Sequence, residues 1–253
     1  DLIIRNGTIY DGSGQPPTVG DVAVKGDKIV AVGKLVEASA SRELNVKGLA
    51  SAPGFINVLS WANESLIEDG RSQSDIRQGV TLEVLGEGES MGPLNARMKQ
   101  EMREGQGDIQ YEVTWTTLGE YLDHLVQRGV SCNVASFLGA TTVRIHELGY
   151  ENRPPTGAEL DRMRKLVRVA MEEGALGIAS SLIYAPAFYA QTDELIELCK
   201  VAAEYNGLYI SQLRSEGNTF FEALDELLHI SRDRKSTSLN SSHGKIDRMP
   251  SYA

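Results

Sequence analysis

Apolar and polar positions alternate with period two at the start of the chain and then change rhythm. From Leu2 to Val32 the stretches "LIIRNGTIYDGSG" and "VGDVAVKGDKIVAVG" read as short strands, with Asn6-Gly7, Asp11-Gly12 and Gly26-Asp27 standing between them as turn signals. This pattern predicts β-hairpins of a small sheet. A third piece, "RELNVKGLASAPGF", leads on to the strand "FINVLS". Beyond Gly54 the short apolar runs "TLEVLG", "NVASFLG", "LGIASSLIY" and "LYIS" are separated by segments with helical periodicity. Alternating strands and helices of this kind predict successive βα units on a parallel sheet.

The helices carry their own punctuation. Thr117 with Glu120 and Thr156 with Glu159 have the spacing of capping boxes. Leu118, Tyr121, Leu122 and Leu125 share a face of the first helix, which puts His124 on its polar side. Leu160, Met163, Leu166, Val167 and Ala170 form the stripe of the second. Thr192 is placed as the cap of a further helix ending at Asn206-Gly207, and Phe221, Leu224, Leu227 and Leu228 mark a last one. The fold class read from this is α/β: a partial TIM-type (β/α) barrel of about five βα units with a small N-terminal β-sandwich domain. The expected boundaries are 1–52 for the sandwich part, 53–232 for the first part of the barrel and 233–253 for a tail. That tail, "DRKSTSLNSSHGKIDRMPSYA", has no apolar period and resembles a translated sequencing adapter, so it is read as non-native or disordered. On this reading the biological sequence ends near Arg232 and the parent protein is longer.

Composition changes the picture in two places. With 253 residues, 41% hydrophobic and 24% charged, the chain has the make-up of a globular protein, and no run nears the roughly 18 apolar residues of a membrane span. A net charge of −10 argues against a nucleic-acid partner and for a small-molecule substrate. The expected protein is soluble, with cytoplasm and export both open and oligomeric state unknown. Cys132 and Cys199 lie in apolar segments without metal-type spacing and are read as buried thiols.

Parallel α/β folds put their chemistry at the C-terminal ends of strands. Those ends are Leu59-Ser60-Trp61, the run Gly86-Glu87-Gly88-Glu89-Ser90, Gly139-Ala140-Thr141-Thr142, Tyr184-Ala185-Pro186 and Ser211-Gln212-Leu213-Arg214. Glu87 and Glu89 offer a carboxylate to a metal or form a solvated acidic loop, with Glu87 the better metal candidate. Arg214 offers its planar fork to a substrate carboxylate or pairs with Glu216 or another acid. His146 follows the third strand, either overlooking the pocket or packing on a loop, while His229 and His243 lie away from strand ends.

From Leu2 to Arg232 the chain resembles the amidohydrolase superfamily, and within it the N-acyl-D-amino-acid deacylases (D-aminoacylases). The resemblance is carried by "DLIIRNGTIYDGSG", "SAPGFI", "QGVT", "ELDRMRKLV", "EEGALGIASSLIYAPAFYAQTDEL" and "YISQLRSEG". It implies a composite β-sandwich beside a distorted barrel, with zinc at the strand ends and a metal-activated water attacking an amide such as that of an N-acyl-D-amino acid. It also implies a pocket role for Tyr184, whose alternative is local packing. The ligand positions depart from the pattern. Where the family has His-x-His after the first strand this chain has Leu59 and Trp61, where it has a cysteine stands Gly88, and where it has the histidine of Ser-His-Met-Arg stands Gln212. Leu and Trp cannot bind zinc, and a neutral amide binds it poorly beside imidazole. The family's catalytic aspartate and a further histidine fall beyond Arg232. Two functions therefore stand: a D-aminoacylase-type hydrolase in the parent, with this fragment inactive, or a metal-free, non-catalytic relative that binds a small ligand.

Overall fold

A computed structural model describes residues 1–233, with Asp233 described by its backbone alone. The tail expected at 233–253 lies outside the described residues apart from that backbone, and so does His243. Contacts divide the chain into two compact units, Asp1–Phe55 and the residues from Ile56 onward.

The first unit is a sheet of β1 (Leu2–Ile9), β2 (Thr18–Lys25), β3 (Lys28–Gly33), β4 (Arg42–Asn45) and β5 (Ala50–Ser51). Its order is β3-β2-β1-β4, with β1 antiparallel to β2 and parallel to both β4 and β5. Gly26-Asp27 makes the two-residue turn of the β2–β3 hairpin, as its sequence predicts. Asn6-Gly7 does not turn the chain. It is a bulge within β1, where the register with β2 shifts between Ile4 and Gly7 and Asn6 takes a φ of 60°. The buried Asp21 carboxylate holds the bulge by accepting the Asn6 N–H at 2.9 Å and the Leu35 N–H at 3.1 Å. These backbone donors, ahead of Arg5, keep the Asp21 carboxyl below the usual carboxylate range.

The second unit contains two three-stranded sheets, β6 (Phe55–Asn57), β7 (Val80–Leu85) and β8 (Asn133–Ser136), then β9 (Leu138–Gly139), β10 (Gly177–Ser181) and β11 (Leu208–Gln212). β7 is parallel to β8, and β10 is parallel to β9 and β11. Phe137 alone separates β8 from β9, and it bridges them: its N–H donates to Leu85 O at 2.9 Å, while Ser136 O accepts from Leu176 N–H at 2.9 Å. The parallel strands thus follow one another in chain order. Between them run α1 (Asn63–Glu68), α2 (Gln73–Ile76), α3 (Ala96–Glu104), α4 (Leu118–Arg128), α5 (Ala140–Leu148), α6 (Gly157–Glu172), α7 (Thr192–Ala203) and α8 (Phe220–Asp233).

Period-two alternation divides the strand side chains between two clusters. Val84, Phe137 and Ala179 pack together with Leu82, Leu208 and Ile210. Leu85, Leu138, Ile178 and Tyr209 belong to a larger core with helix residues such as Leu125, Met163, Val167 and Leu198. Both capping boxes form, at Thr117/Glu120 on α4 and Thr156/Glu159 on α6. Thr192 is not a cap: Gln191 precedes α7 without a side-chain bond, and the Thr192 hydroxyl donates instead to Glu226 Oε1 at 2.8 Å. His124 leaves the polar side assigned to it and packs its ring 5.1 Å from that of Trp115. Cys132 and Cys199 are both buried and form no disulfide. Among the described residues, no helix is long and apolar enough to cross a membrane.

Candidate active site at the strand ends

The loop after β7 forms one wall of the site. Its glycines let two backbones meet: at Gly86, φ is +93° and an added Cβ would lie 2.1 Å from Phe137 O. The loop is then fastened to the start of α5. Ser90 N–H donates to Thr142 Oγ1 at 2.8 Å, Ser90 Oγ accepts from Gly139 N–H at 3.0 Å, and Gly88 O accepts from Thr141 N–H at 3.0 Å. These bonds are internal to buried backbone and hydroxyl groups, so the wall is held in one position.

Against this wall lies a cavity of about 230 Å³, lined by Glu87, Gly88 and Glu89 from the loop, Trp61 after β6, Thr141 from α5, and Ser181 with Tyr184 after β10. Of the residues expected at the site, Trp61, Glu87 and Tyr184 are brought together here. Glu89 opens onto the cavity mouth, yet protein packed around its carboxyl raises its pKa above the ordinary glutamate range. Ser181 is 7% exposed and its Oγ has no hydrogen-bond partner. Sequence reading missed Ser181. The available signal was its place two residues after Ala179 on the same face of β10, at the strand's last position.

Arg214 does not line this cavity, and of its two expected roles the structure shows the pairing with another acid. Its guanidinium holds Glu226 through two bonds of 2.9 Å and donates to the carbonyls of Phe188 at 2.7 Å and Ala190 at 2.9 Å. The acid that captures it is Glu226 rather than Glu216. Gln212 ends β11 opposite Ser181, where its carbonyl accepts from Leu182 N–H at 3.1 Å. Leu59 is half-buried, with its N–H on Asn57 Oδ1 at 3.4 Å. His146 does not overlook the pocket; its Nδ1 lies 3.0 Å from Glu147.

The metal implied by the ligand pattern does not fit these residues. Among the described residues, no group of three or more His, Cys, Asp or Glu side chains comes together, so they form no donor set of the kind a zinc site needs. Nor is there room to restore a donor at Gly88. Its φ is +74°, and a Cβ there would lie 2.8 Å from both Cβ and Oγ of Ser181.

Beneath the site, Arg144 and Glu194 form an ion pair of 2.5 Å between α5 and α7, with both side chains buried. The Arg144 guanidinium also donates to the carbonyls of Glu151 and Arg153 at 3.1 and 2.6 Å. Desolvation raises the Glu194 carboxyl and the arginine opposes it. Such a pair fixes one helix against another more surely than it stabilises the fold.

No protein-family model matches the chain. It is 34% identical to a D-aminoacylase of Alcaligenes xylosoxydans xylosoxydans over 196 residues, which is 76% of this chain and 40% of that protein. Among solved structures, a D-aminoacylase described as a novel subset of amidohydrolases superposes with a TM-score of 0.83 at 32% identity, covering 93% of this chain and 50% of that one. The N-acyl-D-glutamate deacylase of Bordetella bronchiseptica, complexed with zinc and a phosphonate mimic of the tetrahedral intermediate, gives 0.82 at 29% identity with the same coverage. Parallel strands in chain order, with a cavity at their C-terminal ends, and this likeness give the chain a fold similar to that of the amidohydrolases. Within that class it is similar to D-aminoacylase and the N-acyl-D-amino-acid deacylases. The chain spans about 40% of the length of the curated relative it matches.

Proposed function

We propose that the whole protein hydrolyses a linear amide of the N-acyl-D-amino-acid kind, and that this chain supplies one side of its substrate cleft. The observation that carries the reading is the likeness to D-aminoacylase at 32% identity and a TM-score of 0.83 over 93% of the chain. We read the two parallel sheets as a continuous part of a (β/α) barrel, and β1 to β5 as part of a β-sandwich. The domain boundaries near residue 52 and residue 232 are part of the same proposal.

The residues present suggest a division of labour. Tyr184 reaches the cavity from the loop after β10 and offers its hydroxyl to the amide or acyl group. Arg214, by binding the carbonyls of Phe188 and Ala190, positions the segment that follows Tyr184. Glu89, at the cavity mouth and with its carboxyl raised above the ordinary glutamate range by surrounding protein, is the group we assign to proton transfer. It would take a proton from the water adding to the acyl carbon and return it to the nitrogen as the C–N bond breaks. No step is assigned to a metal, because the described residues supply no donor set for one.

The whole protein, assayed on N-acetyl-D-amino acids, is expected to release the free amino acid, and Glu89→Gln to lower kcat by about 10²-fold or more. The misfit of the metal positions favours a second reading, a metal-free relative that binds but does not hydrolyse. Elemental analysis of the whole protein together with the assay separates the two. Turnover sinks the second reading, whereas saturable binding with neither bound zinc nor turnover sinks the first.

A further inference from the structure

A second wall of the cavity is a short segment, residues 184–190, which gives Tyr184, Ala185 and Ala187 to the lining. Side-chain burial does little to hold it. Tyr184 and Phe188 are 61% and 50% exposed, and the buried Ala187 and Ala190 remove only a small apolar area from water. The segment folds on itself locally, with Phe188 N–H on Tyr184 O at 2.8 Å and a 3-10 turn over Ala187–Tyr189. At its front, Tyr184 N–H reaches back to Ser181 O at 3.3 Å, which ties it to the end of β10. Its back end is held from another direction.

There Arg214 donates to Phe188 O at 2.7 Å and Ala190 O at 2.9 Å on the segment, and makes two bonds of 2.9 Å to the carboxylate of Glu226 on α8. Its guanidinium carbon also lies 5.6 Å from the centroid of the Phe188 ring. Glu226 Oε1 accepts in addition the Thr192 hydroxyl at 2.8 Å, at the first residue of α7 and two residues past Ala190. The ion pair is largely buried, its side chains 23% and 12% exposed. A planar fork gripped by both oxygens of a carboxylate has one orientation, and that orientation aims its other donors at the two carbonyls. Without the carboxylate the fork can turn, because those carbonyls belong to the segment it has to place.

We propose that Glu226, which lies outside the cavity lining, is a positioning residue for this wall: through Arg214 and Thr192 it fixes segment 184–190, and with it the place at which Tyr184 meets substrate. Substrate affinity is then set in part from α8. The inference rests on the hydrolase reading for what Tyr184 binds, while the positioning itself does not depend on it.

Positioning is read without substrate by fluorine NMR of the 253-residue chain labelled with 3-fluorotyrosine, the Tyr184 resonance being the one lost in Tyr184→Phe. Glu226→Gln and Arg214→Lys are expected to shift or broaden it and to leave that of Tyr10, in the first unit, unchanged. Arg214→Lys keeps the charge that Glu194 also feels but replaces the fork with a point charge. The consequence for substrate is read in the whole protein with N-acetyl-D-alanine, where Glu226→Gln is expected to raise KM at least about fivefold and to change kcat less than about twofold. In a Tyr184→Ala background the same substitution is expected to change KM less than about twofold, because its effect passes through Tyr184. A Tyr184 resonance unmoved in both variants overturns the proposal, and so does a KM effect undiminished by Tyr184→Ala, which a merely structural loss would give. Should Glu226→Gln lose its cooperative melt, Arg214→Lys decides both measurements. A whole protein without turnover refutes the hydrolase reading alone, since the Tyr184 resonance still decides the positioning.

Discussion

At Gly88 two constraints act at once, a φ of +74° and the Ser181 side chain 2.8 Å from where a Cβ would sit. Either one disfavours a side chain, and together they leave none that fits without movement of the β10 strand end. Gly88→Cys, which supplies the thiolate expected at this position, is therefore predicted to destabilise the chain by about 1–3 kcal/mol and to leave zinc affinity unchanged. Thermal melts and zinc titration of the variant check this; a stable Gly88→Cys chain that takes up one zinc would refute it. The missing donors Leu59, Trp61, Gly88 and Gln212 were legible because each is a residue type without metal chemistry at a position the resemblance marks. That Ser181 fills the space was not legible, since it depends on contact between the ends of β7 and β10. Arg214 shows the same limit: its fork is visible in the sequence, but its partner Glu226 comes from α8.

Among the elements, α6 shows how a local signal survives folding. Thr156 and Glu159 cap the helix reciprocally, and Arg153 adds two bonds of 2.8 Å to the Glu159 carboxylate. Arg153 first, and the Thr156 donors after it, hold the Glu159 carboxyl far below the usual glutamate range. A carboxyl depressed in the folded state contributes stability above its unfolded pKa of about 4.3, and that contribution is lost as pH falls below it. Glu159→Gln is thus predicted to lower Tm at pH 7 and to differ less from the parent at pH 3, where the carboxyl of the unfolded chain is already protonated and part of the contribution is gone. Thr156→Ala should cost about 1 kcal/mol in a denaturant titration. A Glu159→Gln deficit independent of pH would remove the charge argument. Capping boxes were readable because both partners lie within four residues. Thr192 looked similar but was misassigned, since Glu226, remote in sequence, takes its hydroxyl. Asn6-Gly7 was misread as a turn because a positive φ at Asn or Gly serves a bulge as well as a hairpin, and only pairing with β2 distinguishes them.

At the scale of the molecule, the described sheets end in strands that lack a second neighbour among the described residues. β3 closes one side of the first sheet, and Ile29, Val30 and Val32 along it are exposed, as are Val19 and Val36 nearby. β6 and β11 likewise have a paired strand on one side alone. Unpaired backbone beside exposed apolar side chains is a template for strand addition. Opposing it is the net charge of −10, whose repulsion between copies is long-ranged at low salt and falls off within roughly 4 Å near 0.5 M salt. The two terms predict a specific dependence. The 253-residue chain should be mostly monomeric in dilute buffer and gain mass as salt or protein concentration rises, read by light scattering behind a sizing column. Val30→Lys places a charge on the β3 edge while making the net charge less negative, so charge repulsion alone would leave it more associated than the parent. Edge pairing predicts the opposite, less association at every salt concentration. A Val30→Lys chain that self-associates as much as the parent would mean that the contact lies elsewhere, and a parent that stays monomeric at high salt would mean that these edges do not pair at all.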